Sequence, residues 1–200
     1  MTTVTPLDPH LIHAAGAQDR LESDSMEDAR LEASIRDHGQ QVPILVRPDP
    51  TRDGHYQIVY GRRRTLACLD LDIPVNAIIC PMDDAALLMA QGQENTARRN
   101  LSFAEKANFA RQLTDAGHDR PFICAALSIS ISELSRLTQI ATRVPAILIE
   151  AIGAAPGVGR DRWTHFAGLL SQDAITADDL AALVNLSDAA TSDARFQVAC

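Results

Sequence analysis

The pattern of apolar and polar positions changes character near residue 100. Before it, apolar runs of about five residues, bounded by proline, glycine and aspartate, alternate with stretches in which apolar residues recur every three or four positions. Runs of the first kind are typical of strands, and the second pattern is typical of amphipathic helices. The pattern predicts a helix at 25–38, strands at 42–47 and 56–60, a helix at 62–71, a strand at 75–80 and a helix at 83–98.

After residue 100 the strand pattern stops and only helical spacing remains. Ser102 and Glu105 have the spacing of a capping box, which predicts a helix from there to about residue 116. Further helices are predicted at 120–127, 131–142, 146–152, 163–170 and 176–184, with 153–162 as a loop.

The predicted fold class is therefore α/β followed by α: a small mixed α/β N-terminal domain and an all-α domain. The predicted limits are a loosely ordered segment at 1–24, the mixed domain at 25–99, the helical domain at 100–185 and a frayed tail at 186–200.

The composition argues against several classes of protein. The four cysteines are scattered without a close pair, which argues against a zinc site and against a disulfide framework. No apolar run is long enough to span a membrane, and the first residues lack the features of a secretory signal. We therefore expect a cytoplasmic protein with reduced thiols and no membrane partner.

Charge is unevenly distributed along the chain. The net charge is −8, yet residues 95–165 carry nine basic and six acidic groups, a local net charge of +3. A local excess of positive charge can meet phosphate even in an acidic protein. Binding to nucleic acid is therefore compatible with the composition.

The first candidate site is the stretch QIVYGRRRTLACL at 57–69. A strand enters Gly61, three arginines follow, and a helix begins. The free N–H groups at a helix start favour anions, glycine lets the backbone approach closely, and arginine donates two hydrogen bonds to phosphate oxygens. The alternative is a solvated basic helix start whose arginines pair with acidic neighbours.

Polar clusters at 39–47 and 94–99 lie at the ends of other predicted elements. If they converge with 61–65, they combine a glycine turn, cations for phosphates, and a carboxylate with an amide that can hold hydrated magnesium. Alternatively, Glu94 pairs with an arginine and Asn95 caps a helix end. The candidate residues of this site are Gly39, Gln41, Gly61, Arg62, Arg63, Arg64, Thr65, Glu94, Asn95, Arg98 and Arg99.

The second candidate site lies in 102–144, where two short helices flank the turn 128–130. This arrangement is typical of a helix-turn-helix, in which Leu134 would lock the second helix onto the first. An ordinary helical hairpin with serine caps is the alternative. The exposed candidates for DNA contact are Ser130, Ser132, Glu133, Ser135, Arg136, Gln139 and Arg143, with Arg160 and Arg162 as candidates for backbone contacts from the adjoining loop.

Three sequence boxes together resemble the ParB family of DNA partition proteins. They are GQQVPILVR at 39–47, YGRRRTLA at 60–67 and ENTARRNLSFAEKA at 94–107, in the family's order and spacing. The later run LIEAIGAAPGVGRDRW at 148–163 is similar to the RepB branch, which acts in plasmid partition.

The resemblance implies a function. A ParB-like protein binds a centromere-like site on double-stranded DNA, usually as a homodimer, and works with a ParA-type ATPase. Many members bind CTP with Mg²⁺ and hydrolyse it slowly, which closes a clamp around DNA. By position, Gly61, Arg63, Arg64 and Thr65 would face the triphosphate. Glu94 and Asn95 would lie near the metal, with Glu94 assisting hydrolysis.

This sequence also departs from the family pattern. The second box usually has glutamate after its glycine, where this chain has Arg62. The first box usually has glutamine directly before its proline, where this chain has Val42. Arg62 reverses a charge in the expected phosphate site. Two other functions stay open: a nucleotide-switched CTPase clamp, and a transcription regulator that uses the same scaffold.

Overall fold

The computed structural model describes residues 3–17, 21, 25–97, 101–170 and 175–200. The chain forms two compact units. The first comprises Met1–Gly16 and Ser23–Gln91, and the second comprises Ala17–Glu22 and Gly92–Cys200.

The first unit is a mixed five-stranded sheet with helices. Its elements are β1 (Val4–Leu7), a 3-10 turn (Pro9–Leu11), β2 (Ile12–His13), α1 (Ser25–His38), β3 (Ile44–Pro48), β4 (Tyr56–Tyr60), α2 (Arg62–Asp70), β5 (Val75–Ile79) and the start of α3 (Asp84–Ala97). The strand order is β1-β5-β3-β4-β2. β3 and β4, both predicted as strands, pair as an antiparallel hairpin, β3 runs parallel to β5, and β1 is antiparallel to β5. The predicted mixed α/β class is confirmed.

The core of this unit lies under α1 and α2. Ile35 of α1, Ala67 and Cys68 of α2, and Ile44 and Val46 of β3 are buried together. Burial raises the pKa of the Cys68 thiol above its usual value, because the thiolate would lose its hydration. Alternate residues of β3 thus anchor the two helices whose ends carry the first candidate site.

The prediction of a loosely ordered segment at 1–24 is wrong for its first part. Val4–Leu7 forms an edge strand whose register pairs Val4 with Ile78 and Leu7 with Val75. Local sequence does not reveal this strand, because it contains a proline and is stabilised by pairing with residues about 70 positions away. Edge strands tolerate proline, which cannot donate to a neighbouring strand.

In the described part of the second unit, the regular elements are all helices, as predicted. After the end of α3 it comprises α4 (Phe103–Asp115), α5 (Arg120–Leu127), α6 (Ile131–Arg143), α7 (Ala146–Ile152), α8 (Arg160–Leu169), α9 (Ala177–Leu186) and α10 (Ser192–Ala199). The predicted capping box is present, since Ser102 Oγ accepts from Glu105 N and Glu105 Oε2 accepts from Ser102 N. Among the described residues, no helix is long and apolar enough to cross a membrane.

The prediction of a frayed tail at 186–200 is also wrong. Phe196 of α10 is fully buried, and its ring centroid lies 4.8 Å from that of Trp163 and 5.5 Å from that of Phe166. Arg195 Nε donates to Ile152 O at 3.0 Å, and Asp193 Oδ1 accepts from Gly157 N at 2.9 Å. The polar residues of this segment do not indicate that it is ordered. Its order comes from the packing of Phe196 against Trp163, which is distant in the sequence.

The division between the units falls between Gln91 and Gly92, earlier than the boundary expected at residue 99. A β-carbon on Gly92 would lie 2.6 Å from the carbonyl oxygen of Ala126. The last turns of α3 therefore approach α5 closely and belong to the helical unit.

Candidate functional site

Gly61 is held in a conformation that other residues resist. Its φ of 100° and ψ of 21° lie in the left-handed region, and it forms the N-cap of α2. A β-carbon there would lie 2.5 Å from Cγ2 of Ile44, which is completely buried. Thr65 N donates to Gly61 O at 3.1 Å, which closes the first turn of α2. Steric contact and backbone torsion thus both require glycine at this position.

The start of α2 leaves groups that suit an anion. Within the described part of the chain, no side chain caps this N-terminus. Arg62 is exposed, and among the described residues it has no hydrogen-bond or ion-pair partner. Helix N–H groups and an adjacent guanidinium form a favourable setting for phosphate.

Arg63 and Arg64, by contrast, contact the protein itself. Arg63 Nε pairs with Asp28, and its Nη1 donates to Glu27 Oε2 at 3.1 Å, both in the first turn of α1. Partial burial lowers the pKa of Arg63, but the hydrogen bonds and charges of the two carboxylates outweigh burial, so its pKa is raised overall. Arg64 Nη1 donates to the carbonyls of Val42 and Pro43, at 2.9 and 2.7 Å. The alternative of pairing with acidic neighbours therefore holds for Arg63.

The candidates Gly39 and Gln41 lie in the turn that follows α1. Gly39 has a φ of 72°, and its N–H donates to Ile35 O at 2.8 Å. Gln41 Nε2 donates to His38 O at 2.6 Å. Gly39 thus allows the backbone to turn after the helix, and Gln41 donates to one of the last carbonyls of the helix.

Gln40 was missed by the sequence reasoning and links this turn to the sheet. Its Oε1 accepts from Asn76 N at 2.7 Å, while its Nε2 donates to Asn76 O at 2.9 Å and Val42 O at 3.0 Å. In the sequence it is one of two adjacent glutamines after Gly39, and no local feature distinguishes it from Gln41. Since Arg64 also contacts Val42 O, Gln40 supports the loop beside the α2 start.

The third cluster belongs to the second unit. Glu94 is half-buried on α3, where it interacts with other residues, and Asn95 follows it on the same helix. The candidates Arg98 and Arg99 lie outside the described residues. Convergence of Glu94 with Gly61 therefore stays a prediction. In the described ranges, no three His, Cys, Asp or Glu side chains form a metal site. A magnesium ion at Glu94 would accordingly need water or phosphate as further ligands.

In the second unit, α5 and α6 are joined by a tight three-residue turn. Ser128 adopts a left-handed conformation, with a φ of 51°, and Ile129 N donates to Cys124 O at 3.0 Å. Leu134 of α6 is almost fully buried, as predicted for the residue that fixes α6. Leu137 and Ala141 pack with Ala107 of α4 in one cluster. The opposite face of α6 is thereby directed to solvent.

Several of the polar candidates near the start of α6 are used within the helical unit. Ser130 caps α6 by accepting from Glu133 N at 3.2 Å, so the alternative of a serine cap is correct for it. Ser132 Oγ lies 2.9 Å from Ser130 Oγ, and Glu133 pairs with Lys106 at 3.9 Å. Ser135 Oγ donates to Ile131 O at 2.9 Å and accepts from Arg120 Nη2 at 2.5 Å.

Three longer side chains of α6 remain open to solvent. Arg136, Gln139 and Arg143 are exposed, and no partner for them occurs in the described ranges. Their spacing of three and four residues places them on one face of the helix. We call these three residues the α6 stripe. Its two guanidinium groups and one amide suit phosphate and base-edge contacts.

Arg160 and Arg162 lie in the first turn of α8, although the sequence placed them in a loop. Gly159 is the N-cap, and Trp163 N donates to Gly159 O at 3.3 Å. Arg160 pairs with its neighbour Asp161 at 2.9 Å, and the Arg162 guanidinium lies 5.1 Å from the ring centroid of Phe196. Burial of Trp163 extends this helix towards its N-terminus, which the local glycines do not indicate.

Family models match both units of the chain. Residues 1–96 match the ParB N-terminal domain, and residues 97–197 match the RepB plasmid partitioning protein. Residues 1–96 therefore form a domain of the ParB N-terminal class. More narrowly, the chain belongs to the RepB plasmid partitioning family, and the resemblance drawn from the three boxes is confirmed.

Curated relatives agree with this assignment. The chain is 40% identical over 172 residues to a replication protein B of Sinorhizobium fredii, covering 86% of this chain and 53% of the relative. It is 43% identical over 175 residues to one of Rhizobium rhizogenes, covering 88% and 55%. The chain thus spans about half the length of these relatives.

A solved structure supports the fold. A Pnob8-like ParB-N domain matches with a TM-score of 0.51 at 13% identity, covering 100% of this chain and 93% of that chain. At this level of identity the match speaks to fold alone.

Proposed function

We propose that this chain binds a specific, centromere-like site on double-stranded DNA and acts in plasmid segregation. The observation that carries the proposal is the α6 stripe, whose polar groups have no internal partner in the described chain. The stripe lies on the second helix of a pair joined by a tight turn, the usual position of a recognition helix in a helix-turn-helix. Ser130, Ser132, Ser135 and Glu133 would border the stripe, and Arg160 and Arg162 would contact the DNA backbone.

The direct test begins with unbiased selection of double-stranded DNA from a random library by the full chain. Binding of the selected site is then measured for the variant that combines Arg136→Ala, Gln139→Ala and Arg143→Ala. We expect at least a 100-fold loss of affinity, because about 1–3 kcal/mol is typical for each base-reading contact. Arg52→Ala, which removes one exposed arginine of the first unit, is the matched control and should retain affinity. Unchanged affinity of the combined variant contradicts the assignment of α6.

We also propose that the first unit provides a triphosphate site for CTP with Mg²⁺. The uncapped start of α2, the close approach at Gly61 and exposed Arg62 support it. Arg63, Arg64 and Thr65 would lie around the phosphates, and Gly39 and Gln41 would shape the adjoining turn. Arg98 and Arg99 would contribute to nucleotide binding, and Glu94 and Asn95 would lie near the metal. Bound magnesium would offset the negative charge of the phosphates.

Calorimetric titration of CTP with Mg²⁺ tests this second part, using ATP, GTP and UTP as controls, with and without the selected DNA. Selective CTP binding is the expected result. Release of phosphate from CTP, lost in Glu94→Gln with binding retained, would assign Glu94 to slow hydrolysis and support a nucleotide-switched clamp. If no nucleotide binds to protein that still binds its DNA, the nucleotide proposal fails and the DNA proposal stands.

As partners we propose a second copy of the chain and a ParA-type ATPase. Sedimentation equilibrium of the full chain with and without selected DNA tests the homodimer. Stimulation of the ATPase by the protein–DNA complex tests segregation. A complex that binds DNA, represses transcription from it and leaves the ATPase rate unchanged would instead favour a transcription regulator.

A further inference from the structure

Arg63, the second of the three arginines at the start of α2, pairs with two carboxylates. Asp28 and Glu27 lie 35 and 36 positions earlier in the chain, on the first turn of α1. About a third of the Arg63 side chain is exposed, as is a similar fraction of Asp28, while Glu27 is more than half exposed. The cluster is thus partly open to solvent and to an incoming ion.

The charges of this cluster oppose an anion. One guanidinium faces two carboxylates, so these three side chains carry a net charge of −1. Two oxygens of one phosphate group can accept the same pair of hydrogen bonds from a guanidinium as the two oxygens of a carboxylate. Phosphate and carboxylate would therefore compete for the same donors on Arg63. The two carboxylates also repel the negative charge of an incoming phosphate, and this repulsion grows as the phosphate approaches.

We propose that Asp28 and Glu27 compete with a bound triphosphate for Arg63, so that the first turn of α1 sets the affinity of the α2 start for phosphate. This inference rests on the proposed nucleotide function of the first unit. Occupation of the site then releases Arg63 from α1. The first turn of α1 is thereby coupled to the presence of nucleotide, through an ion pair that phosphate replaces.

The experiment compares charge-neutral variants in the full chain. Asp28→Asn, Glu27→Gln and their combination remove the competing charges while preserving side-chain shape. Glu32→Gln is the matched control, because Glu32 lies on the same helix but pairs with Arg36. Affinity for CTP with Mg²⁺ is measured calorimetrically at low and high salt, after circular dichroism has shown that each variant is folded.

We expect the combined variant to bind about 3- to 10-fold more tightly than the original chain, since exposed ion pairs have modest strength. The gain should shrink at high salt, which screens exposed charges. Glu32→Gln should stay within twofold. Glu27→Gln alone, the more exposed position, should show a smaller gain in the same direction.

The outcomes separate the two proposals. Equal or weaker binding by the combined variant, beside clear binding by the original chain, overturns the competition and leaves the nucleotide function intact. Binding only by the combined variant supports both. Absence of binding by every variant overturns both.

Hydrogen exchange gives an independent readout. Amides of residues 26–30 should exchange faster when CTP and Mg²⁺ saturate the original chain, because the first turn of α1 loses its contact with Arg63. In the combined variant the nucleotide should cause no such change. Unchanged or slower exchange in the original chain contradicts the release of α1.

Discussion

Two arginines at the start of α2 and two arginines on α6 meet different environments. At the start of α2, Arg63 is paired with carboxylates and Arg64 with backbone carbonyls. On α6, Arg136 and Arg143 are exposed and lack internal partners within the described residues. The same residue type thus contributes to the fold in one unit and forms an open surface in the other.

This difference has a physical consequence for binding. The exposed arginines of α6 can contact a ligand without first breaking internal contacts, so the free-energy cost of rearrangement on binding is small. A paired arginine must exchange one partner for another, so its ligand shifts the balance between two arrangements. We therefore expect α6 to behave as a permanently formed DNA surface and the α2 start as a responsive one.

The largest expected effect is on the free energy of unfolding, and it tests whether glycine is required at the start of α2. Gly61→Ala should lower the free energy of unfolding by about 3 kcal/mol, from left-handed strain together with overlap against Ile44. Urea unfolding followed by circular dichroism measures it. Gly39→Ala is the control: its φ is also positive, but nothing lies within 4 Å of the added carbon, so about 1 kcal/mol is expected. Equal losses would show that contact with Ile44 does not constrain α2.

The next effect concerns the open surface. Arg136→Ala should weaken binding to the selected DNA by about 1–3 kcal/mol if this residue reads a base, with a smaller loss on random DNA. Because Arg136 has no partner in the described chain, unfolding free energy should change by less than about 0.5 kcal/mol. Fluorescence anisotropy and urea unfolding give the two values. A stability loss as large as the binding loss would remove the contrast between the units.

A smaller effect distinguishes Arg64, which donates to backbone carbonyls, from the exposed Arg62. Arg64→Ala should reduce the free energy of unfolding by about 1–2 kcal/mol, because its hydrogen bonds to the carbonyls of Val42 and Pro43 are lost. Arg62→Ala should change it by less than about 0.5 kcal/mol while weakening CTP binding. Urea unfolding and calorimetry on both variants provide the measurement. Equal stability of the two variants would contradict the structural role of Arg64.

The smallest expected effect is a change in salt dependence. If Arg143 contacts a DNA phosphate, Arg143→Ala should reduce the slope of log affinity against log salt by about one, equally for selected and random DNA. Arg52→Ala should leave the slope unchanged. A slope that changes only on selected DNA would assign Arg143 to base recognition instead.

Most of the local architecture was predictable because it depends on nearby residues. The hairpin of β3 and β4, the capping box at Ser102 and the bounds of α5 follow from spacing and capping chemistry. The three boxes led to the correct family because their order and spacing are properties of the sequence itself. The exposed stripe on α6 also follows from spacing, once Leu134 fixes the buried face.

The sequence by itself determined the order of elements, the glycine at the α2 start and the polar face of α6. Only the tertiary structure decided which charges are occupied, because the partners of Arg63 lie about 35 residues away on α1. The tertiary structure also decided that segments near both chain ends form regular secondary structure. Val4–Leu7 needs β5 to form a strand, and α10 needs Trp163 to bury Phe196. Such contacts stabilise segments whose own residues favour neither helix nor strand, so local pattern does not reveal them.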